Sequence, residues 1–123
     1  MKNVAVVGCT VTLSPGTGVA QITTQASLKV KADGKNVYFG PIDVAVSSYS
    51  DSIITVSESG SGTITIQPSA QKVRVEGDYV ILEGDSGSAM IDGLAYSGSS
   101  QIEVQSEVTA KIEVAGQVKV KAN

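Results

Sequence analysis

The sequence predicts an all-β fold, a single compact and cone-like domain of β-hairpins that spans residues 1–123. Three observations predict it. The apolar residues are largely Val, Ile and Ala, which suit pleated strands, and only 4% of the residues are aromatic. Apolar and polar residues alternate along many segments, and clusters of Gly, Ser and Asp separate those segments. A chain of 123 residues is long enough to bury one core.

Alternation at every second position marks the predicted strands. Thr63–Ile66 and Val118–Lys121 each place their apolar side chains on one face of an extended segment. No segment shows the longer period of an amphipathic helix. We predict strands at about 3–13, 19–24, 28–32, 36–46, 52–57, 63–67, 71–76, 79–83, 101–108, 110–115 and 117–122.

Three segments share one order of residues, Ile-x-x-Gln and then Lys-(Val/Ile)-x-(Val/Ala)-x-Gly. Each Lys-Val segment alternates, and its closing Gly supplies the positive φ of a tight turn, so each unit predicts a hairpin. Because a lone hairpin is barely stable, the three must share a core, which predicts pseudo-threefold repeats; a chance match is the alternative. The segments are Ile22–Gln25 with Lys29–Gly34, Ile64–Gln67 with Lys72–Gly77, and Ile102–Gln105 with Lys111–Gly116, in units of about 19–50, 61–96 and 100–123.

The run Gly84–Ser88, GDSGS, resembles the loop that presents the nucleophilic serine of chymotrypsin-like proteases. That serine needs a base, and the chain has no histidine. The nearest lysines, Lys72 and Lys111, lie in strand-like segments without a Ser–Lys motif. Two acids, Glu83 and Asp85, have no second group to complete a site. We therefore predict a turn that closes a strand, no catalytic residue and no enzyme.

The charge, the cysteine content and the first residues of the sequence argue against several other classes of protein. The net charge is −3 and no basic stripe with interleaved aromatic rings is present, which argues against nucleic acid as a partner. Cys9 is the only cysteine; we expect a small buried apolar side chain, with a reactive or metal-ligand role as the alternative. Gly8 and Thr10 interrupt the apolar start, so we predict a strand there rather than a signal peptide, and a chain made in the cytoplasm.

Pro68–Asp85, PSAQKVRVEGDYVILEGD, is the most specific stretch of the chain. It resembles the repeating unit of PAAR and PAAR-like proteins, in which a Val-x-Val-x-Gly strand and turn precede a return strand and then Gly-Asp. Val4–Thr12 is similar to the start of those proteins. The resemblance spans nearly the whole chain, and the second repeat carries the close match. It implies a sharp cone of β-hairpins that caps the trimeric β-helical spike of type VI secretion systems, related contractile injection machines or phage tails.

The resemblance also implies partners and a location. One monomer would cap a trimeric spike protein, VgrG-like or phage spike-like, at the tip of the injection particle or virion. It would be delivered to the target cell with transient membrane contact, and an effector is a further implied partner. Four cations would face solvent, either as plain solvated strand faces or to discourage edge pairing: Lys29, Lys31, Lys119 and Lys121. No spike-contacting residue is predicted.

The chain departs from the family in two respects. Family members bind a metal near the apex through histidines and a cysteine, whereas this chain offers Cys9 alone, and a tetrahedral site needs about four N or S ligands. We therefore predict a metal-free tip without a cofactor; a metal held in an unfamiliar way is the alternative. The Pro-Ala-Ala-Arg run is absent, and Lys35–Val37, Asp78–Val80 and Gln117–Lys119 follow the turn glycines. The chain is thus closer to the PAAR-like proteins.

A non-catalytic β-sandwich binding module or adhesin is the alternative function. Strands rich in Ser and Thr fit it. Sugar sites usually offer a flat aromatic platform, however, and the tyrosines available for one are Tyr38, Tyr49, Tyr79 and Tyr96.

Overall fold

The computed structural model describes all 123 residues, which form twelve strands and no helix. The prediction of a compact all-β domain is confirmed. No helix is present that could cross a membrane. The strands are β1 (Lys2–Asn3), β2 (Thr10–Ser14), β3 (Thr17–Ile22), β4 (Lys31–Ala32), β5 (Lys35–Asn36), β6 (Ile42–Ser50), β7 (Gly60–Ile66), β8 (Arg74–Val75), β9 (Asp78–Tyr79), β10 (Ser86–Ser97), β11 (Ser100–Val114) and β12 (Lys121–Ala122).

Six strands form one antiparallel sheet that curls into a nearly closed barrel. Their order is β2-β11-β10-β7-β6-β3. The longest pair, β10 with β11, closes at the tight turn between Ser97 and Ser100. The edge strands β2 and β3 follow each other in the chain and contact each other, so little free sheet edge remains.

The barrel encloses the larger of two hydrophobic cores. Its side chains are mainly β-branched, and its largest fully buried side chain is that of Tyr49. Strands that converge around an interior leave room for small and branched side chains, in keeping with the scarcity of aromatic residues. The fifteen core residues are Ala5, Ala26, Tyr38, Ile42, Val44, Val46, Tyr49, Ile54, Ile64, Ile66, Ile81, Ile91, Val108, Ala110 and Ile112.

A hydrogen-bonded carboxylate, that of Asp51, ties three parts of the barrel together. The buried Tyr49 hydroxyl donates to Asp51 Oδ2 at 2.9 Å and accepts from the Gly16 N–H, in the β2–β3 turn, at 3.0 Å. Ser106 Oγ on β11 donates to the same carboxylate oxygen at 2.6 Å. Two N–H groups of the following turn donate to Oδ1, both at 2.7 Å. Burial acts to raise the pKa of Asp51, but these hydrogen bonds outweigh it and hold the pKa below its ordinary value.

Three short antiparallel strand pairs lie outside the barrel sheet, and we call all three hairpins although the third is formed by the chain ends without a connecting turn. They pair β4 with β5, β8 with β9, and β12 with β1. The first two turn through residues with positive φ, Asp33 (52°) with Gly34 (78°) and Glu76 (51°) with Gly77 (92°). Consecutive positive φ values are typical of the type I′ turns that suit two-residue hairpins. The hairpins predicted at Gly34 and Gly77 are therefore confirmed.

The third predicted hairpin, at Lys111–Gly116, is wrong. Lys111–Val114 is the end of the 15-residue strand β11, and this end pairs with β2 and β10 instead of turning back. Its alternating pattern is that of a long barrel strand, which has the same period as a hairpin strand.

The hairpin that takes its place joins the two ends of the sequence, β12 and β1. Lys119–Ala122 repeats the Lys-Val-Lys-Ala of Lys29–Ala32, and Lys2–Val4 repeats the Lys-Asn-Val of Lys35–Val37. Asn123 and Met1 occupy the positions of the turn residues. A search for continuous repeats misses this unit because its return strand lies at the other end of the sequence.

Other strand predictions also differ from the structure. The segment predicted as a strand at 52–57 is a loop whose buried Ile54 contributes to the barrel core. The predicted strand 3–13 is divided between β1 and β2, and those at 101–108 and 110–115 merge into β11. β10 was not predicted, because its Ser- and Gly-rich sequence gives a weak pattern, while the partners on both of its sides fix it in the sheet.

The return segments of the three hairpins form a closed ring of backbone hydrogen bonds. The N–H of Ala5 donates to the carbonyl of Ile81 (2.8 Å), the N–H of Ile81 to Tyr38 (3.1 Å), and the N–H of Tyr38 to Ala5 (3.1 Å). Each segment therefore donates to one neighbour and accepts from the other, which is the pattern of a threefold rotation. A second cycle has the same threefold pattern but runs in the opposite sense: the N–H of Val7 donates to Asn36, that of Gly40 to Tyr79, and that of Glu83 to Asn3.

This ring separates the two cores. The side chains of Ala5, Tyr38 and Ile81 belong to the barrel core. Their neighbours in the chain point to the opposite side, as alternation requires, and belong to a second core. The nine residues of the second core are Val4, Val6, Ala32, Val37, Ala70, Val75, Val80, Leu82 and Ala122. The hairpins and the ring thus cover one end of the barrel, and we call residues 1–8, 26–40, 69–84 and 115–123 the hairpin module.

Candidate functional site

The hairpin module repeats one basic segment three times. These basic triplets are Lys29–Lys31, Lys72–Arg74 and Lys119–Lys121, each with a valine between two cations. The central valines Val30, Val73 and Val120 are 38%, 40% and 41% exposed. Their carbonyls accept the N–H groups of Val37, Val80 and Val4 at 3.1, 3.1 and 3.0 Å. The triplets are therefore equivalent in sequence, in exposure and in their bonding to the ring.

Charge is divided between the module and the barrel. The module holds eight of the nine basic residues and four of the twelve acidic residues, a formal charge of +4. The rest of the chain holds one basic and eight acidic residues, a charge of −7, and the two parts together give the net −3. A chain that is mildly acidic overall therefore carries one basic end.

Few of the module's cations are neutralised within the chain. One salt bridge is present there, Lys119 Nζ to Asp33 Oδ1 at 3.4 Å, and Lys35 Nζ donates to the Gly116 carbonyl at 2.9 Å. Arg74 lies over the ring of Tyr79, 4.4 Å from its centre, and donates to its hydroxyl. The four lysines predicted to face solvent are exposed. The basic charge of this end is thus open to a partner.

Polar side chains fix the backbone of two triplets. Ser27 Oγ accepts the N–H groups of Lys29 and Val30, both at 3.1 Å. The buried Gln117 occupies the equivalent position: its Oε1 accepts the N–H groups of Lys119 and Val120 at 2.8 Å. Its Nε2 donates to two carbonyls, also at 2.8 Å. These two triplets are therefore held in place before any partner binds.

Replacing Gln117 with alanine is expected to lower the free energy of unfolding by about 2 kcal/mol, or Tm by roughly 8 °C, since two backbone N–H groups and two carbonyls each lose a hydrogen bond to its side chain. Urea and thermal unfolding measure the loss. Gln101→Ala, at an exposed position of β11, is the matched control and should change little. Equal losses in the two variants would contradict the anchoring role of Gln117.

The GDSGS run is a turn followed by a strand. Asp85 is buried, and its carboxylate accepts from the N–H of Leu82 at 2.8 Å and from the N–H and hydroxyl of Ser69. Ser86 begins β10, and Ser88 Oγ pairs with Thr109 Oγ1 on β11 at 2.7 Å. No serine of the run is hydrogen-bonded to a side chain that could act as a base. The predicted turn is present at Glu83–Gly84, and Asp85 closes it through its N–H and its carboxylate, both bonded to Leu82.

Cys9 is free and half-buried, and it packs against the barrel core. Burial raises the pKa of its thiol, which keeps it protonated at neutral pH. No group of three or more Cys, Asp or Glu side chains comes together in the structure.

Elemental analysis of the purified chain is expected to find no stoichiometric zinc or iron, since no set of side chains offers four ligands. The measurement should be made before and after dialysis against a chelator, with Tm unchanged between the two samples. One tightly bound metal per chain would contradict this prediction.

A polar groove of about 820 Å³ lies on the barrel, away from the hairpin module. Asp92 and Glu103 are its acids, and Gln105 Nε2 donates to Asp92 Oδ1 at 2.6 Å. No aromatic ring lines it, so it lacks the stacking platform that a sugar-binding module would use. Its residues are Ser59, Ser61, Asp92, Gly93, Leu94, Glu103, Val104 and Gln105.

In comparisons with known proteins, no family model, no curated protein and no solved structure matches the chain.

Sequence reasoning predicted no partner-contacting residue and missed the basic triplets as a set. It predicted solvent exposure for four lysines individually: Lys29, Lys31, Lys119 and Lys121. It placed Lys111, rather than Lys119, at the repeat position that Lys29 and Lys72 occupy. The available signal was the identity of Lys-Val-Lys-Ala at 29–32 and 119–122.

Proposed function

We propose that this chain is the structural tip that caps and sharpens the trimeric β-helical spike of a contractile injection machine. The observation that carries the proposal is the closed ring of Ala5, Tyr38 and Ile81, through which one chain presents three equivalent segments around one axis. A partner made of three identical chains offers three equivalent contacts around its own axis. One molecule with internal threefold order can therefore satisfy all three at once. The resemblance of Pro68–Asp85 to the PAAR-like unit supports the same function.

The proposed function is mechanical and needs no reacting group. The end strands of a trimeric β-helix leave backbone N–H and carbonyl groups without partners, and a β-rich cap can pair with them or cover them. The module continues directly into barrel strands, and the N–H of Gly84 donates to the carbonyl of Ile112 on β11 at 2.8 Å, so a load applied to one part is transmitted to the other. The tip would travel with the spike into the target cell and contact its membrane transiently.

Stoichiometry tests this proposal. The purified chain is expected to be a monomer and to form a complex of one chain with three spike chains when mixed with a trimeric β-helical spike protein from the same source. Native mass spectrometry and light scattering measure both states. A spike protein that lacks its terminal strands is the control and should not bind. A stable trimer of this chain alone, or no complex with the intact spike, would overturn the proposal.

A further inference from the structure

We propose that the hairpin module is the docking surface and that its occupant is an acidic end of the trimeric spike, each spike chain receiving one basic triplet. This inference rests on the proposed function and goes beyond it, since it assigns the contacting residues and the chemistry of the partner.

Equivalence of the three triplets is the first argument. Val30, Val73 and Val120 differ by only three percentage points in exposure, and each bonds the same position of the ring. In every triplet a basic residue stands on each side of the valine. Five of these residues are lysines, and the sixth is Arg74. A threefold partner can meet all three triplets with one set of its own residues. A flat or asymmetric partner gains nothing from their equivalence.

Charge is the second argument. The module carries +4 while the remainder carries −7, and one salt bridge alone, that of Lys119 with Asp33, neutralises a cation within the module. Carboxylates on the partner would supply the missing counter-charges and would steer the basic end, rather than the acidic barrel, toward the spike. The same charges repel a second copy of the module, which favours one cap per spike.

Exposed apolar side chains among the cations are the third argument. Leu28 and Val118 occupy equivalent positions before two triplets and are 72% and 73% exposed, next to the half-exposed valines. Apolar contacts surrounded by charged groups are the usual composition of a protein interface. The spike end is therefore expected to present three apolar patches, each bordered by Asp or Glu.

The test replaces one lysine in each triplet. In the variant Lys29→Gln with Lys72→Gln and Lys119→Gln, the dissociation constant for the spike trimer is expected to rise about tenfold. Lys111→Gln is the matched control, because Lys111 is the only basic residue outside the module. The dissociation constant of this variant should stay within about twofold of the wild-type value. Biolayer interferometry at several NaCl concentrations is the measurement. Salt should weaken wild-type binding more steeply than binding of the triple variant.

A second variant tests the apolar contact without changing charge. Val30→Thr with Val73→Thr and Val120→Thr keeps the side-chain shape and is expected to weaken binding several-fold, while Tm stays close to that of the wild type because the three valines are partly exposed. Should Tm fall steeply in this variant, the lysine series still decides the question, because those side chains are exposed and are not part of either core.

The outcomes separate this inference from the proposed function. If wild-type chain forms no one-to-three complex, the proposed function fails, and this inference fails with it. If the complex forms but neither the triple lysine variant nor salt weakens it, the docking assignment alone is overturned. Vesicles of phosphatidylcholine with about 30% phosphatidylglycerol serve as a second probe. Loss of vesicle binding in the lysine variant with unchanged spike binding would assign the basic end to a membrane and overturn the inference.

Discussion

Replacing Asp51 with alanine is expected to lower the free energy of unfolding by about 3 kcal/mol and Tm by roughly 12 °C. The Asp51 carboxylate accepts four hydrogen bonds, and its removal leaves the buried hydroxyls of Tyr49 and Ser106 without their acceptor. Those donors come from β6 and β11, and Tyr49 in turn holds Gly16 of the β2–β3 turn. The loss therefore loosens the closure of the barrel at several points.

Urea unfolding of wild-type protein and of Asp51→Ala measures this effect. Asp43→Ala is the control, since Asp43 is exposed and its carboxylate accepts one side-chain hydrogen bond, from Thr65 at 2.8 Å. The control should lose about 0.5 kcal/mol or less. A loss for Asp51→Ala no larger than that of the control would contradict the role given to the carboxylate.

The lowered pKa of Asp51 predicts the pH dependence of the same contribution. Because the folded pKa lies below the ordinary value of 3.8, the stabilisation is fully present above that value and is lost as the pH falls through the folded pKa. The difference in unfolding free energy between wild type and Asp51→Asn should be constant near neutral pH and should shrink below about pH 4. A difference that stays constant down to pH 2.5 would contradict the lowered pKa.

Replacing Gly87 with alanine is expected to cost about 3 kcal/mol. A Cβ at Gly87 of β10 would lie 1.9 Å from the backbone carbonyl oxygen of Thr65 on β7, so the two strands would have to separate. Gly62→Ala is the matched control, because its Cβ would meet the end of the flexible Ile91 side chain at 2.7 Å. That variant should lose about 1 kcal/mol. Denaturant midpoints rank the two, and the reverse order would contradict the close approach of β10 and β7.

Local patterns made the first two hairpins predictable. Gly34 and Gly77 stand where positive φ is required, and the alternation on each side fixes the faces of the strands. The second hairpin was also the segment with the close resemblance to PAAR-like repeats. The third hairpin could not be found in the same way, because its two strands come from opposite ends of the sequence. Lys111–Gly116 imitates the pattern because barrel and hairpin strands share a period of two.

The ring and the charge separation are products of the fold. Ala5, Tyr38 and Ile81 differ in size and chemistry, and although a valine precedes each of them, the sequence does not show that they bond to one another; the backbone hydrogen bonds do. The basic residues are spread from Lys2 to Lys121 and are interspersed with acids along the chain. They gather at one end because folding places β10 and β11, with Asp92, Glu103, Glu107 and Glu113, in the barrel instead. Net charge alone conceals that distribution.

The pairing of β1 with β12 has a consequence for biosynthesis. On the ribosome, the barrel strands up to Val114 emerge before Lys121–Ala122. The barrel can therefore assemble before β12 is available to pair with β1. Such a long-range closure has a high entropic cost and slows folding. The second core, which contains both Val4 and Ala122, is therefore completed only after Lys121–Ala122 has been made, later than the barrel strands.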